Sequence, residues 1–170
     1  TTSSDLIITV EDVNEAPSLS NTLAASSFAE NIATGTTIAT ASASDPESQT
    51  ITYSLSGTGS EYFAVDSSGN VTLVAGLDYE TASSYNLTLS VSDGVNTTTN
   101  TIAISISDVN EAPSLSSSLA ASSFAENTAT GTTIATASAS DPESQTITYS
   151  LSGTGSENFT VDSSGNVTLV

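Results

Sequence analysis

The chain has 170 residues, with 19 acidic side chains and no lysine, arginine, histidine or cysteine, so its formal net charge is −19 at pH 7. Nucleic acids and anionic membrane surfaces are excluded as partners, because both are bound through basic side chains. Catalysis by histidine, lysine or cysteine is excluded as well, together with the usual zinc and copper ligands. The remaining ligand atoms are oxygens, which suit a hard cation such as calcium.

An internal repeat organises the whole chain. The residues DVNEAP at 12–17 recur at 108–113, and FAEN at 28–31 recurs at 124–127, each 96 residues later. The repeat divides the chain into three predicted parts. We predict the C-terminal strand and linker of a preceding repeat at 1–13, a complete repeat at 14–109, and a second repeat at 110–170 that lacks its last two strands.

Within the complete repeat, short runs alternate between polar and apolar residues, which is typical of strands with one buried face. In chain order, the clearest predicted strands are residues 37–41, 50–55, 85–91 and 101–106. Asp66 to Asn70 has the composition of a hairpin turn, and Pro17 and Pro113 mark linkers because proline interrupts strand pairing. About seven strands and no helix predict an all-β fold of tandem seven-stranded Greek-key β-sandwiches in a linear array.

Most acidic residues of the complete repeat lie between the predicted strands. In chain order, the motifs are Glu30-Asn31, Asp45-Pro46-Glu47, Leu77-Asp78-Tyr79-Glu80, Asp93-Gly94 and Asp108-Val109-Asn110-Glu111-Ala112-Pro113. In this order they resemble the motifs of a cadherin repeat, especially the cadherin-like tandem repeats of large bacterial surface proteins and adhesins. The resemblance covers the full repeat.

The resemblance implies Ca²⁺ at the junctions between consecutive repeats. The junction after the complete repeat would use Glu30, Asp78, Glu80, Asp108, Asn110 and Glu111, with Asp141 and Glu143 from the next repeat. The junction before it would use Asp12, Asn14, Glu15, Asp45, Glu47 and Asp93. Carboxylates gathered at one linker repel one another unless divalent ions lie between them, which agrees with this expectation.

The chain departs from the family pattern at several of these positions. Glu47 and Glu143 stand where cadherins have the second aspartate of Asp-x-Asp, Glu111 replaces a linker aspartate, and Ala112 replaces an asparagine. The longer glutamate arms can still reach an ion. Loss of the asparagine side chain is expected to weaken one site or to reduce the number of ions.

These observations favour a calcium-rigidified extender repeat of a long extracellular adhesin, exposed at the cell surface and contacting neighbouring repeats of the same chain. Two alternatives stay open. One is a self-associating filament or sheath subunit, and the other is a calcium-dependent carbohydrate- or matrix-binding module. An enzyme is not expected, because a paired-carboxylate glycosidase needs aromatic sugar platforms and the chain has no tryptophan. This segment is not expected to insert into a membrane, because no apolar run approaches the ~20 residues that span a bilayer.

Overall fold

The computed structural model describes residues 4–20, 23, 26–116, 119 and 123–170. The chain divides into two compact units, Thr1–Val109 (unit 1) and Asn110–Val170 (unit 2). In the described part of the chain, no helix is long and apolar enough to cross a membrane.

In the described residues of unit 1, the regular structure consists of strands and one 3₁₀ turn at Ser60–Tyr62. Its strands are β1 (Ser18–Leu19), β2 (Ser26–Ala29), β3 (Thr37–Thr40), β4 (Ala43–Ser44), β5 (Thr52–Ser56), β6 (Phe63–Val65), β7 (Asn70–Leu73), β8 (Ser84–Ser92) and β9 (Thr97–Ser107). A four-stranded sheet has the order β2-β9-β8-β5, a three-stranded sheet has the order β3-β7-β6, and β1 pairs with β4. The predicted all-β fold is therefore confirmed.

The core of unit 1 follows from the alternation within its strands. In β8, Leu87 and Leu89 are completely buried, while the residues between and beside them are partly or fully exposed. In β9, Ile102 and Ile104 are buried in the same way. Because successive strand residues point to opposite faces, the inner faces are aliphatic and the outer faces are rich in serine and threonine.

The β2 strand runs parallel to β9 and forms one edge of the four-stranded sheet. Phe28 lies opposite Ile106, and Ser27 lies opposite Ser105. All other strand pairs in unit 1 are antiparallel. This parallel pair places the end of β2 beside the end of β9, and so brings the acidic residues that follow the two strands to the same end of the unit.

Two local details differ from the sequence-based expectation. Pro17 was expected in a linker, but it is completely buried, and its carbonyl accepts a hydrogen bond of 2.6 Å from Thr98 Oγ1. Tertiary packing on the start of β9 thus draws this proline into unit 1. Residues 4–17 form no strand, and the apolar side chains of 6–8 and 10 are strongly exposed.

Unit 2 repeats the first part of this arrangement. Its strands are β10 (Ser114–Leu115), β11 (Thr133–Thr136), β12 (Ala139–Ser140), β13 (Phe159–Val161) and β14 (Asn166–Leu169), and it has a 3₁₀ turn at Ser156–Asn158. The sheet order is β11-β14-β13, and β10 pairs with β12. Residues 148–152 correspond to β5 but form no strand. In unit 1, β5 pairs with β8.

Candidate metal centre

The acidic motifs of unit 1 fall at the two ends of its longest strand. Asp93 lies just before β9, and Asp108 lies just after it. The eleven residues of β9 span roughly 36 Å at the usual rise of an extended chain. The predicted ligands therefore form two separate groups, one at the N-terminal end and one at the C-terminal end of the unit.

Three carboxylates gather at the N-terminal end of unit 1. Asp12, Glu15 and Glu47 each offer one carboxylate oxygen, and these atoms all lie within 4.8 Å of one another. The backbone N–H of Glu15 donates a hydrogen bond to Glu47 Oε2 at 3.3 Å, which holds the linker against the loop between β4 and β5. The structure thus brings together predicted ligands that are 32 residues apart in the chain.

The carboxylates of this group lie close enough to affect one another. A side-chain hydrogen bond with Glu15 raises the pKa of Glu47 above its ordinary value, and desolvation and the charges of Glu15 and Asp45 act in the same direction. Neighbouring carboxylates repel one another, and a cation bound between them would relieve that repulsion.

Asp45 is oriented for binding by its own loop. Its Oδ1 atom accepts hydrogen bonds of 3.0 Å from the backbone N–H groups of Glu47 and Gln49. Its Oδ2 atom is buried and has no hydrogen-bond partner among the described residues. A buried carboxylate oxygen without a partner is costly in free energy. Asp45 therefore has one oxygen fixed by the backbone and one that is free to bind a ligand.

Asn14 and Asp93 complete the N-terminal group. Asn14 Nδ2 donates a hydrogen bond of 2.9 Å to Asp93 Oδ2, and Asp93 Oδ1 accepts the N–H groups of Val95 and Asn96 at 2.7 and 2.6 Å. Burial alone would raise the pKa of Asp93, but these three hydrogen bonds lower it below its ordinary value. Asp93 is therefore held in its ionised form beside the linker.

One residue of this end was not predicted. The side-chain amide of Gln49 donates a hydrogen bond to Asn14 Oδ1, and Gln145 makes the equivalent bond to Asn110 Oδ1 in unit 2. These glutamines orient the linker asparagines rather than carry charge. The recurrence of the full run Asp-Pro-Glu-Ser-Gln at 45–49 and 141–145 was the signal that could have identified them.

The donor set at the N-terminal end fits calcium. Ca²⁺ accepts 6–8 oxygen ligands at about 2.3–2.6 Å, so oxygens on opposite sides of an ion lie roughly 4.6–5.2 Å apart. The oxygens of Asp12, Glu15 and Glu47 all lie within 4.8 Å of one another, close enough for one ion to contact all three. The unpartnered Oδ2 of Asp45 supplies a further donor. Every ligand atom is an oxygen, as a hard cation prefers.

At the C-terminal end of unit 1, Glu30 is the central residue. Its side chain is only 5% exposed. Its Oε2 atom accepts a hydrogen bond from the backbone N–H of Tyr79, and its Oε1 atom accepts one from Val109, both at 2.7 Å. Glu30 therefore joins the Leu77–Glu80 motif to the end of β9 and links three chain segments.

The other predicted ligands at this end are exposed. Both carboxylate oxygens of Asp78 accept hydrogen bonds of 3.0 Å from Thr81, one from its backbone N–H and one from its hydroxyl. Glu80 and Asp108 lie on the surface of unit 1. Glu30 thus supplies the buried part of this end, and Asp78, Glu80 and Asp108 supply its exposed part.

Unit 2 has the same local geometry at its own N-terminal end. The backbone N–H of Glu111 donates to Glu143 Oε1 at 2.9 Å, and the N–H of Gln145 donates to Asp141 Oδ1 at 2.8 Å. The side-chain hydrogen bond with Glu111 lowers the pKa of Glu143. Asn110, Glu111, Asp141 and Glu143 repeat the arrangement of Asn14, Glu15, Asp45 and Glu47.

The turn after β6 is not part of either group. Asp66 Oδ1 accepts the N–H groups of Ser68 and Asn70, and Asp66 Oδ2 accepts the side-chain amide of Asn70, at 2.8–2.9 Å. The hydrogen bond from the Asn70 side chain is the main cause that lowers the pKa of Asp66. All of these are local turn contacts, as predicted for a hairpin connection.

Comparison with known proteins identifies the fold of this sandwich. Residues 25–107 match the family model described as "Cadherin domain". Cadherin-related family member 1 of Gallus gallus is 33% identical over 156 residues, which are 88% of this chain and 18% of that protein. The chain therefore spans less than a fifth of the length of that relative.

Solved structures agree with the family match. The EC1-2 segment of human protocadherin-24 superposes with a TM-score of 0.61 at 26% identity, covering 92% of this chain and 80% of that one. The EC22-24 segment of mouse cadherin-23 gives a TM-score of 0.57 at 30% identity, covering 92% of this chain and 55% of that one.

The comparisons bear on the sequence-based predictions to different degrees. Cadherin domains are adhesion modules and not enzymes, so the family match supports the prediction that this chain is not an enzyme. The relatives named above are animal proteins, and the expected origin in a bacterial surface protein stays a prediction. Family match, fold and the order of the acidic motifs agree on the central part of the chain: residues 25–107 match the cadherin domain model, and the chain has the β-sandwich fold of cadherin structures.

Proposed function

We propose that the chain is a calcium-binding, calcium-rigidified extender segment of a long extracellular adhesion protein. Its role is mechanical: it holds a more distant binding module away from a surface. The near-exact repetition at 96 residues supports a spacer, because identical copies add length without adding a new recognition surface. The absence of lysine and arginine also removes the cleavage sites of trypsin-like proteases, which suits an extracellular protein.

The N-terminal group of unit 1 carries this proposal. Asp12, Glu15 and Glu47 place three carboxylate oxygens within 4.8 Å of one another, and Asp45 adds a buried oxygen that has no hydrogen-bond partner among the described residues. No lysine or arginine exists to neutralise them. A divalent cation is the simplest group that would satisfy both the spacing and the charge.

When bound, calcium would supply positive charge and oxygen coordination. The protein residues supply orientation. The backbone N–H groups of Glu47 and Gln49 fix Asp45, and Asn14 fixes Asp93 while it is itself held by Asn96. The linker at 12–15 would then be held to the loops of unit 1.

The ligand group expected from the second half of the motif pattern belongs to the same proposal. It comprises Glu30, Asp78, Glu80 and Asp108 of unit 1, and Asn110, Glu111, Asp141 and Glu143 of unit 2. That ions are shared between these residues stays a prediction from the family resemblance. The number of ions at each junction is part of that prediction.

A thermal melt of the 170-residue chain, in EDTA and then in excess Ca²⁺, tests the proposal. We expect the midpoint to rise with Ca²⁺, because a ligand that binds only the folded state stabilises it by mass action. Asp45→Asn and Glu47→Gln should reduce the rise. Glu61→Gln is the matched control, because Glu61 is an exposed glutamate in the 3₁₀ turn of unit 1 and outside both groups.

The outcomes separate calcium binding from a general charge effect. If the midpoint does not respond to Ca²⁺, or if Glu61→Gln reduces the response as much as Glu47→Gln does, the acidic residues serve only as a soluble surface coat. Mg²⁺ at equal concentration is a second control, since its smaller size and octahedral preference fit this mixed carboxylate set less well.

A further inference from the structure

We propose that Asn86, on the outer face of β8, is an acceptor site for an N-linked oligosaccharide. The proposal goes beyond calcium binding and rests on the extracellular location proposed above, because an exported chain can meet a membrane-bound oligosaccharyltransferase. It assigns a modification to a face of unit 1 that takes no part in either acidic group.

The chain contains several copies of the short acceptor sequence Asn-x-Ser/Thr that such transferases require. Five asparagines begin one: Asn70, Asn86, Asn96, Asn158 and Asn166. In a chain so rich in serine, threonine and asparagine, a motif of three residues also occurs by chance. The sequence alone therefore selects none of the five, and the surroundings of each side chain decide between them.

Two of these asparagines are held at both ends of the side-chain amide. Asn70 Nδ2 donates a hydrogen bond of 2.9 Å to Asp66 Oδ2, and Asn70 Oδ1 accepts one of 3.1 Å from Thr40 Oγ1. Asn166 makes the equivalent pair of hydrogen bonds in unit 2. A sugar on Nδ2 would replace one amide hydrogen and crowd the turn that these bonds support.

Two others are held at the nitrogen atom that would carry the sugar. Asn96 Nδ2 donates a hydrogen bond of 3.1 Å to the backbone carbonyl of Asn14, which belongs to the N-terminal acidic group. Asn158 Nδ2 donates one of 3.2 Å to the backbone carbonyl of Gly155 within its 3₁₀ turn. In both residues the amide nitrogen points at the protein itself.

Asn86 differs from all four. Its side chain is exposed and makes no hydrogen bond within the described part of the chain. Its neighbour in β9 is Ala103. On the other side lies Gly57, where a Cβ would be only 2.9 Å from the carbonyl oxygen of Asn86. Because both neighbours have little or no side chain, the space around the Asn86 amide is open to a bulky sugar.

The strand also presents the acceptor sequence correctly. Asn86 and Thr88 are two residues apart in β8 and share its outer face, whereas Leu87 between them is completely buried. The outward positions of β5, β8 and β9 carry serine, threonine, asparagine or alanine and no acidic residue. A sugar on Asn86 would therefore cover uncharged polar surface and leave the core and the acidic groups unchanged.

The modification is a group transfer from a polyprenyl-diphosphate oligosaccharide. A bond forms between Asn86 Nδ2 and C1 of the first sugar, and the bond between C1 and the diphosphate oxygen breaks. The polyprenyl diphosphate leaves with the electron pair of that bond, and Nδ2 loses one proton to a base of the transferase. The hydroxyl of Thr88 supplies the third position that the acceptor sequence requires.

Mass spectrometry of the 170-residue chain, secreted from cultured animal cells with an added secretion signal, tests the proposal. Since the chain has no lysine or arginine, it is cut after aspartate and glutamate, and peptide N-glycosidase is added only afterwards. This digestion places the three acceptor sequences of unit 1 on separate peptides, 67–78, 81–93 and 94–108. We expect the glycan on peptide 81–93, and the other two peptides unmodified.

Variants at Thr88 provide the matched controls. Thr88→Val keeps Asn86 and the shape of the side chain but removes the hydroxyl, so it should abolish the glycan. Thr88→Ser keeps the hydroxyl and should keep the glycan, and Asn86→Gln should lose the same mass as Thr88→Val.

Three results would overturn the proposal: a secreted chain without a glycan at Asn86, equal glycosylation of Asn70 or Asn96, or a glycan that persists in Thr88→Val. The Ca²⁺-dependent melt of the same secreted chain is a separate measurement. Failure of the glycan assignment and failure of the calcium proposal are therefore distinguishable.

Discussion

The buried carboxylate of Glu30 gives the most informative test of how the end of unit 1 is built. Glu30 accepts two backbone N–H groups, from Tyr79 and Val109, each at 2.7 Å. Replacement by glutamine keeps the size of the side chain but leaves only one acceptor oxygen. The new amide group would then face an N–H donor, and one of the two backbone groups would lose its partner.

The expected effect follows from these two hydrogen bonds. A hydrogen bond to a charged group contributes about 1.5–3 kcal/mol. Glu30→Gln loses one such bond and weakens the other, because the remaining acceptor is neutral. We therefore expect the free energy of unfolding of unit 1 to fall by about 2–4 kcal/mol, a large part of the 5–15 kcal/mol that is typical of a domain.

Urea unfolding in EDTA, followed by tyrosine fluorescence, measures this loss. Four of the five tyrosines lie in unit 1, so the signal reports mainly on that unit, and EDTA separates the structural role from calcium binding. Glu126→Gln is the matched control, because Glu126 is the equivalent residue in unit 2 and is exposed. Its replacement should change the unfolding free energy by less than about 0.5 kcal/mol.

Two results would refute the reasoning. If Glu30→Gln leaves the unfolding free energy unchanged, the two backbone hydrogen bonds are replaced by water without cost. If Glu126→Gln is as destabilising as Glu30→Gln, the effect comes from the loss of a charge and not from burial and hydrogen bonding.

Two further predictions concern the turn between β6 and β7. Gly69→Ala should destabilise unit 1 by more than Gly94→Ala in the same urea assay. Both glycines have a positive φ, +81° and +97°, which an alanine adopts only with strain. A Cβ at Gly69 would also lie 2.4 Å from the carbonyl oxygen of Ala41, whereas a Cβ at Gly94 would meet nothing within 4 Å. Equal losses would show that backbone strain alone decides the cost. A hydrogen bond from the Asn70 side chain is the main cause that lowers the pKa of Asp66 in the folded state below its ordinary value of 3.8. The ionised Asp66 carboxylate therefore stabilises the fold at pH values above 3.8. This stabilisation is lost as the pH falls through the lower pKa of the folded state. Asp66→Asn should therefore lower the melting midpoint at neutral pH and have no effect at a pH below both values, and a constant difference would contradict this assignment.

Much of the fold was predictable from the sequence, because it depends on local pattern. Alternation of apolar and polar residues predicts the inner and outer faces of β5, β8 and β9, since side chains in a strand alternate by geometry. The exact spacing of 96 residues makes each local feature appear twice. The composition alone predicts oxygen ligands, because the chain has no basic or sulfur-containing side chain that could compete with them.

The arrangement of the candidate site was less predictable, because it depends on contacts between distant parts of the chain. The sequence placed Glu30 in an acidic motif, but only the tertiary structure shows that it is buried and binds backbone groups 49 and 79 residues away. The approach of Glu15 to Glu47 and the burial of Pro17 have the same origin. Such contacts involve backbone N–H and C=O groups, which do not depend on side-chain identity, and so they leave no clear sequence pattern of their own. The sequence by itself determined the β class, the repeat and the choice of ligand atoms; the packing of β9 between β2 and β8 decided which of those atoms meet.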